Sequence, residues 1–113
     1  MSSHADLTPI AFEVLLSLME GPQHGYGIKL GIEARTGGEM SLGSGTLYQA
    51  IQRLEREGLI TEARSVGDPP DARRGRSYRL QPSGRAAVHA YLRRLSRVVD
   101  YARSRNLLPV TKS

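Results

Sequence analysis

The sequence predicts a mainly α-helical fold with a small β-hairpin and a long C-terminal helix. Three observations support this prediction: apolar residues recur at helical spacing in three short segments, two alternating segments flank a loop rich in Gly, Pro, Asp and Arg, and a heptad-like repeat lies near the C-terminus. The 113 residues suit a single small core. With one Phe, five Tyr and no Trp, that core must be mainly aliphatic.

The first two predicted helices have clear start and stop signals. Thr8 is a suitable N-cap, Pro9 fits the first helical position, where no backbone N–H is needed, and Gly21 ends the helix. The second helix runs from about Gly25 to Arg35. Its internal glycines lower the intrinsic helix propensity, so packing against other helices must hold it.

The third predicted helix has the most regular pattern. It begins near Ser44, where that residue or a neighbour caps it, and Gly58 ends it. Its apolar residues follow the i, i+3, i+4, i+7 spacing of one buried face: Leu47, Ala50, Ile51 and Leu54. The opposite face carries polar side chains: Thr46, Gln49, Gln52, Arg53 and Arg56.

Two strands and a long helix follow. Short strands are predicted from Leu59 to Arg64 and from Arg76 to Leu80. Residues 65–75 between them are rich in Gly and Pro and cannot maintain the hydrogen-bonded ladder of a β-sheet. Two strands joined by a basic loop after a helix form a wing, so the order of elements predicts a winged helix-turn-helix. Pro82 starts the last helix, which extends to about Arg105 and is followed by a frayed tail.

The last helix predicts a homodimer. Its apolar residues alternate steps of three and four over roughly two heptads, and the predicted dimerisation residues are Val88, Tyr91, Leu92, Leu95, Val98, Val99 and Ala102. A core this small also gains from hiding apolar surface against a second copy. Residues 1–81 are therefore predicted to form the winged helix-turn-helix domain, and residues 82–113 the C-terminal dimerisation helix and tail.

The charge is unevenly distributed. The net charge is +5, but residues 1–45 hold two basic and five acidic side chains, whereas fourteen basic and six acidic side chains follow. This asymmetry favours a polyanion, such as double-stranded DNA, as the partner of the later part of the chain.

The candidate DNA-binding residues lie on the third helix and in the wing. An α-helix fits the major groove, where Gln suits adenine and Arg suits guanine, and arginines on a loop suit phosphate or the minor groove. The predicted DNA-binding residues are Ser44, Thr46, Tyr48, Gln49, Gln52, Arg53, Arg73, Arg74 and Arg76.

The same residues allow plainer interpretations. Gln49 and Gln52, taken singly, fit a solvated helix surface, and Tyr48 is as compatible with partial burial as with base contact. Arg53 has two acidic candidates for an ion pair, Glu57 and Glu33. The wing arginines also fit a flexible charged loop.

No catalytic or metal constellation is evident. The chain lacks Cys, and its three histidines are widely separated, so neither a metal site nor another cofactor is expected. His24 fits a turn or capping role better than a ligand role. No Ser has a matching His and acid, so the sequence does not indicate an enzyme. It also lacks a membrane span and a secretory signal, which favours a cytoplasmic location.

Several segments together resemble the PadR family of transcriptional regulators. They are Glu20 to Ile28, Gly45-Thr46-Leu47-Tyr48, Arg53 to Ile60, and Tyr78-Arg79-Leu80 after the Arg-rich loop. The resemblance covers roughly Leu7 to Leu95, and the single C-terminal helix is similar to the smaller PadR subfamily. The chain departs from the family pattern at Gln49, where members often have Pro, and in lacking Trp.

The resemblance implies a homodimeric, sequence-specific DNA-binding regulator. It implies repression at a pseudo-palindromic operator in the protein's own or a neighbouring promoter, and relief by a small-molecule effector. It also implies that Gly45 to Tyr48 begin the helix that contacts bases. The alternative is a winged-helix module that binds another protein and does not bind DNA.

Overall fold

A computed structural model describes residues 7–63 and 76–109. It confirms the predicted mainly α fold with a small β structure and a long C-terminal helix. The elements are α1 (Pro9–Ser17), β1 (Gln23–His24), α2 (Gly25–Arg35), α3 (Ser44–Arg56), β2 (Ile60–Ala63), β3 (Ser77–Leu80) and α4 (Pro82–Ser104).

The sheet has three antiparallel strands rather than the two predicted. Strand β3 lies in the middle, with β2 on one side and β1 on the other. Gln23 pairs with Tyr78 and His24 with Ser77, so β1 ties the start of α2 to the base of the wing. The sequence did not predict β1, because two residues are too few to show the alternation that identifies a strand. His24 is the N-cap residue of α2, but its side chain makes no capping hydrogen bond.

Helix α1 occupies the centre of the molecule. It packs against α2, α3 and α4. Its Val14 and Leu15 are fully buried, as are Ile28 and Ile32 of α2 and Ile51 of α3. The aliphatic core predicted from the composition is thus formed where the helices meet, and the opposite face of α3 is left exposed.

The predicted helix boundaries have visible physical causes. The Thr8 hydroxyl accepts a hydrogen bond from the Ala11 N–H at 3.1 Å, as expected of an N-cap. Helix α3 ends at Gly58, which adopts a left-handed conformation with φ 76°. The Gly58 N–H then binds the Glu55 carbonyl and the Leu59 N–H binds the Leu54 carbonyl, the pattern of a Schellman cap.

Helix α4 ends in the same way, so the first residues of the predicted frayed tail form a helix cap. Asn106 has φ 60°, and the Leu107 N–H binds the Ala102 carbonyl at 2.8 Å. Asn is one of the few residues other than Gly that adopts this conformation readily. Asn106 begins a segment without apolar periodicity, so the sequence pattern carried no signal for this cap.

The first half of α4 belongs to the core of its own subunit. The Gln81 N–H donates to the Leu59 carbonyl at 2.9 Å, and the Ser83 hydroxyl donates to the Gly58 carbonyl at 2.7 Å. Val88 is fully buried, and Tyr91 stacks on Phe12 of α1 with 4.3 Å between ring centroids.

Val88 was predicted to be a dimerisation residue. Its own subunit covers its side chain completely, so Val88 is not available to a second copy. Tyr91 is half-buried and its ring already faces α1. From Leu92 onward the apolar side chains are largely exposed, so the surface available to a second copy begins there.

The close approach of α4 to the end of α3 predicts that a side chain at position 84 destabilises the fold. A Cβ at this position would lie closer to the Leu59 carbonyl oxygen than van der Waals radii allow. This oxygen belongs to the backbone, which cannot move aside as a flexible side chain can. We expect Gly84→Ala to lower the free energy of unfolding by about 1–3 kcal/mol in urea denaturation. Gly31→Ala is the matched control, because a Cβ there meets nothing within 4 Å. It should leave stability unchanged or raise it by up to about 1 kcal/mol, and equal losses in the two variants would contradict the steric explanation.

The buried phenol of Tyr78 predicts a loss of stability at alkaline pH. Burial raises the pKa of Tyr78 above its ordinary value, and a hydrogen bond with Arg76 opposes this shift only in part. The folded protein therefore keeps a proton that the unfolded chain releases, and stability falls as the pH rises past about 10. Urea unfolding from neutral pH to about pH 10.5 should show a shallower decline for Tyr78→Phe than for the unmodified chain. Identical pH profiles would contradict this assignment.

Candidate nucleic-acid interface

The exposed face of α3 presents a continuous row of hydrogen-bonding side chains. Leu47, Ile51 and Leu54 point into the core, so the helical period turns the polar residues outward. All of the side chains predicted for this face are exposed: Thr46, Gln49, Gln52, Arg53 and Arg56. The predicted separation of α3 into an apolar and a polar face is confirmed.

These side chains border a cleft of about 400 Å³ between α3 and the start of α1. Its lining residues are Thr8, Ile10, Ala11, Thr46, Gln49, Ala50, Gln52, Arg53 and Arg56. The α1 side of this cleft was not predicted from the sequence, which indicated only a capping role for Thr8. Which residues of α1 flank α3 depends on how the two helices cross, and sequence spacing carries no signal for that.

The N-terminus of α3 lacks a side-chain cap. Ser44 is the first helical residue and is exposed, but the N-cap position is Gly43, which has no side chain to accept a hydrogen bond. Among the described residues, no side chain caps the first backbone N–H groups of α3. Such groups are favourable neighbours for an anion, including a phosphate.

Tyr48 lies on the flank of α3 and packs against the start of α2. Its hydroxyl oxygen lies 3.1 Å from the position that a Cβ on Gly25 would take, and the residue is 38% exposed. A larger residue at position 25 would displace the phenol. Part of the Tyr48 ring therefore packs between α3 and α2, and part stays accessible to a ligand.

Arg53 is engaged by the nearer of its two predicted partners. Its Nε donates to Glu57 Oε2 at 3.0 Å. Glu33, the other candidate, instead accepts hydrogen bonds from Lys29 and Ser41, which lower the pKa of its carboxyl group. The Arg53–Glu57 pair lies on the solvent side of α3, with 55% of the arginine and 46% of the glutamate side chain exposed.

The wing is described only at its base. Arg76 is exposed just before β3, and its Nε lies 4.0 Å from Glu62 Oε2 on β2. Arg73 and Arg74 lie outside the described residues. The antiparallel pairing of β2 with β3 shows that the loop between them leaves the sheet beside Ala63 and Ser77.

The distal half of α4 carries the remaining predicted interface residues. Leu92, Leu95 and Val98 are exposed, with Val98 at 56%, and Val99 and Ala102 are half-buried. Their spacing places them along one side of the helix. Tyr101 is also exposed and lies away from this stripe, where Arg105 stacks over its ring.

Within residues 7–63 and 76–109, no three His, Cys, Asp or Glu side chains come together as a metal site would require. Across the same part of the chain, no helix is both long and apolar enough to cross a bilayer.

Known structures share this architecture. A transcriptional regulator from Clostridium thermocellum is 26% identical with a TM-score of 0.61, over 85% of this chain and 88% of that one. RosR from H. salinarum is 25% identical with a TM-score of 0.67, over 90% and 99% of the two chains. Bacillus subtilis PadR in complex with operator DNA is 24% identical with a TM-score of 0.64, over 75% and 47%.

A curated relative places a similar sequence inside a longer protein. A 37.1 kDa protein of transposon TN4556 from Streptomyces fradiae is 37% identical over 93 residues. The match covers 79% of this chain but only 25% of the relative. The chain therefore spans about a quarter of that protein.

The family assignment rests on most of the fold. Residues 14–90, which run from α1 into the first half of α4, match the transcriptional regulator PadR-like family. That range includes the polar face of α3, the sheet and the junction with α4. The chain belongs to the PadR-like family of transcriptional regulators.

Proposed function

We propose that this protein binds double-stranded DNA through α3 and the wing, as a homodimeric transcriptional regulator that represses its own or a neighbouring promoter. The main observation is the exposed polar face of α3, which offers hydrogen-bonding groups to base edges. The major groove is about 12 Å wide and admits an α-helix. Gln49 and Gln52 suit adenine, and Arg53 suits guanine. The family membership and the structure of B. subtilis PadR with operator DNA support this proposal.

Charge and backbone geometry favour the same ligand. The basic excess lies after residue 45, in the part of the chain that contains α3, the wing and α4. The uncapped N–H groups at the start of α3 and the exposed Arg56 suit phosphate. Ser44, Thr46 and Tyr48 complete the proposed contact surface of the helix, and Arg73, Arg74 and Arg76 that of the wing.

A salt series on the purified protein tests this function. For the DNA upstream of its own coding sequence, the logarithm of the association constant should fall linearly with the logarithm of the salt concentration. The slope should be about −0.9 for each phosphate that the protein neutralises. Random-sequence duplex of equal length is the control and should bind more weakly by about a thousandfold or more. If no duplex binds at low ionic strength, the chain is instead a winged-helix module for protein partners.

Gln52 should contribute specificity rather than general affinity. We expect Gln52→Ala to lose about 1–3 kcal/mol of discrimination at one or two base pairs, because its amide can pair with adenine in two places. Arg74→Ala is the contrasting variant, expected to weaken binding to all sequences and to reduce the salt slope by about one. Fluorescence anisotropy with operator and random duplexes separates the two effects. Equal losses of Gln52→Ala on both duplexes would contradict its assigned role.

We further propose that the distal half of α4 forms the homodimer. The stripe that starts at Leu92 is apolar and partly exposed on its own subunit, and an isologous two-fold interface would bury it against a second copy. The contacts proposed for this seam are Leu92, Leu95, Val98, Val99 and Ala102, with Tyr91 at its edge. In such a dimer the two α3 helices would lie roughly 34 Å apart, which is one turn of DNA. Each would then contact one half-site of a pseudo-palindromic operator.

A charge in that stripe should dissociate the dimer. Val98→Asp would bury an unpaired carboxylate, so light scattering at micromolar concentration should give the mass of a monomer. Arg93→Asp is the control, because position 93 faces away from the stripe by helical periodicity. It should remain dimeric. A dimeric Val98→Asp protein would show that the interface lies elsewhere.

Relief by a small effector would follow from the same geometry. A ligand that changed the angle between the paired α4 helices would alter the distance between the two α3 helices and uncouple one half-site. Effector and DNA would then oppose each other's binding by the same factor.

A further inference from the structure

The ion pair on the outward face of α3 is poorly explained by helix stability. Glu57 is the C-cap residue of α3, where the helix dipole is negative and disfavours a carboxylate. The order is also the weaker one, because Arg53 precedes Glu57 in this i, i+4 pair. An exposed pair of this kind contributes little to folding. Its position on the candidate interface therefore suggests a role in binding.

The pair constrains which edge of the Arg53 guanidinium faces outward. Glu57 accepts from Nε, so the two terminal nitrogens remain as a parallel pair of donors. Within the described ranges, no protein group accepts a hydrogen bond from either of them. The O6 and N7 atoms of guanine in the major groove require two donors side by side. The bound glutamate thus leaves the arginine with a donor pair that matches a guanine edge.

The charge of the Glu57 carboxylate also affects which DNA group Arg53 can bind, a phosphate or a base edge. A phosphate carries a full negative charge and is repelled by Glu57, whereas a base edge offers neutral acceptors. Arg56, which borders the same cleft, has no ion pair with any residue in the described part of the chain. Adjacent arginines on α3 are therefore prepared for different partners.

We propose that Glu57 is a positioning residue that directs Arg53 to a guanine base and away from the DNA backbone, while Arg56 binds phosphate. This proposal rests on the proposed DNA-binding function and adds the base that one half of the operator must present. It predicts one guanine contact for each subunit whose strength depends on a residue that does not itself touch DNA.

The experiment begins with selection of a preferred duplex from a random pool by the unmodified protein. Affinity is then measured for every single base-pair substitution of that duplex and for random duplex. Arg53→Ala should lose a discrimination of about tenfold to a hundredfold at one G·C pair in each half-site. Glu57→Ala should lose most of the discrimination at the same pair and bind random duplex more tightly. The double variant should be no less specific than Arg53→Ala alone, because the two residues act as one unit.

Two further variants separate orientation from charge. Glu57→Gln keeps an acceptor for Nε but removes the charge, so it should retain part of the guanine preference while binding random duplex more tightly. Glu20→Gln makes the same charge change in the turn after α1 and should leave the guanine preference intact. Thermal unfolding verifies that every variant is folded.

The possible results are distinguishable. If the unmodified protein selects a site and Arg53→Ala loses one G·C preference, but Glu57→Ala retains it fully, the positioning role is overturned. The same holds if Arg53→Ala loses no base preference. If the unmodified protein binds no duplex at low salt, the proposed function fails, and this inference fails with it.

Discussion

The packing of α1 on three sides is the constraint on which the rest of the molecule depends. This helix is only nine residues long, yet it contacts α2, α3 and α4. Its apolar side chains therefore extend around most of its circumference instead of forming one stripe. The polar face of α3 and the exposed half of α4 have fixed positions relative to each other because both helices pack on this one element.

That arrangement joins the two proposed activities of the chain mechanically. The side of α1 facing α4 holds Phe12 against Tyr91, while Thr8 and Ile10 border the cleft beside α3. A rotation of α4 about its first turns is opposed by three contacts at once: the Phe12–Tyr91 stack, the Ser83 hydrogen bond and the Gly84 contact. A change of angle between paired α4 helices would consequently move each subunit as a body, carrying α3 with it.

Local signals predicted the helices well, and the failures occurred where structure is decided by distant residues. The Thr8 cap, the apolar face of α3 and the start of α4 at Pro82 are encoded within one or two turns of chain, and the structure confirms them. Strand β1 exists because Gln23 and His24 lie beside β3, more than fifty residues later. The apolar repeat of α4 was continuous through Val88, but periodicity cannot tell whether an apolar side chain meets its own subunit or another. Periodicity likewise could not predict the α1 side of the cleft, because it depends on the way α1 and α3 cross.

The defined ends of α4 make its proposed dimer interface sensitive to the length of the helix. The helix is fixed to the core by its first turns and closed by the left-handed Asn106 at the other end. Each residue inserted between Tyr91 and Leu92 would rotate everything beyond it by about 100° about the helix axis. One added residue would point the exposed apolar stripe in a new direction, whereas seven would nearly restore it. In the proposed dimer, only insertions that preserve the helical phase would keep this stripe facing the second copy.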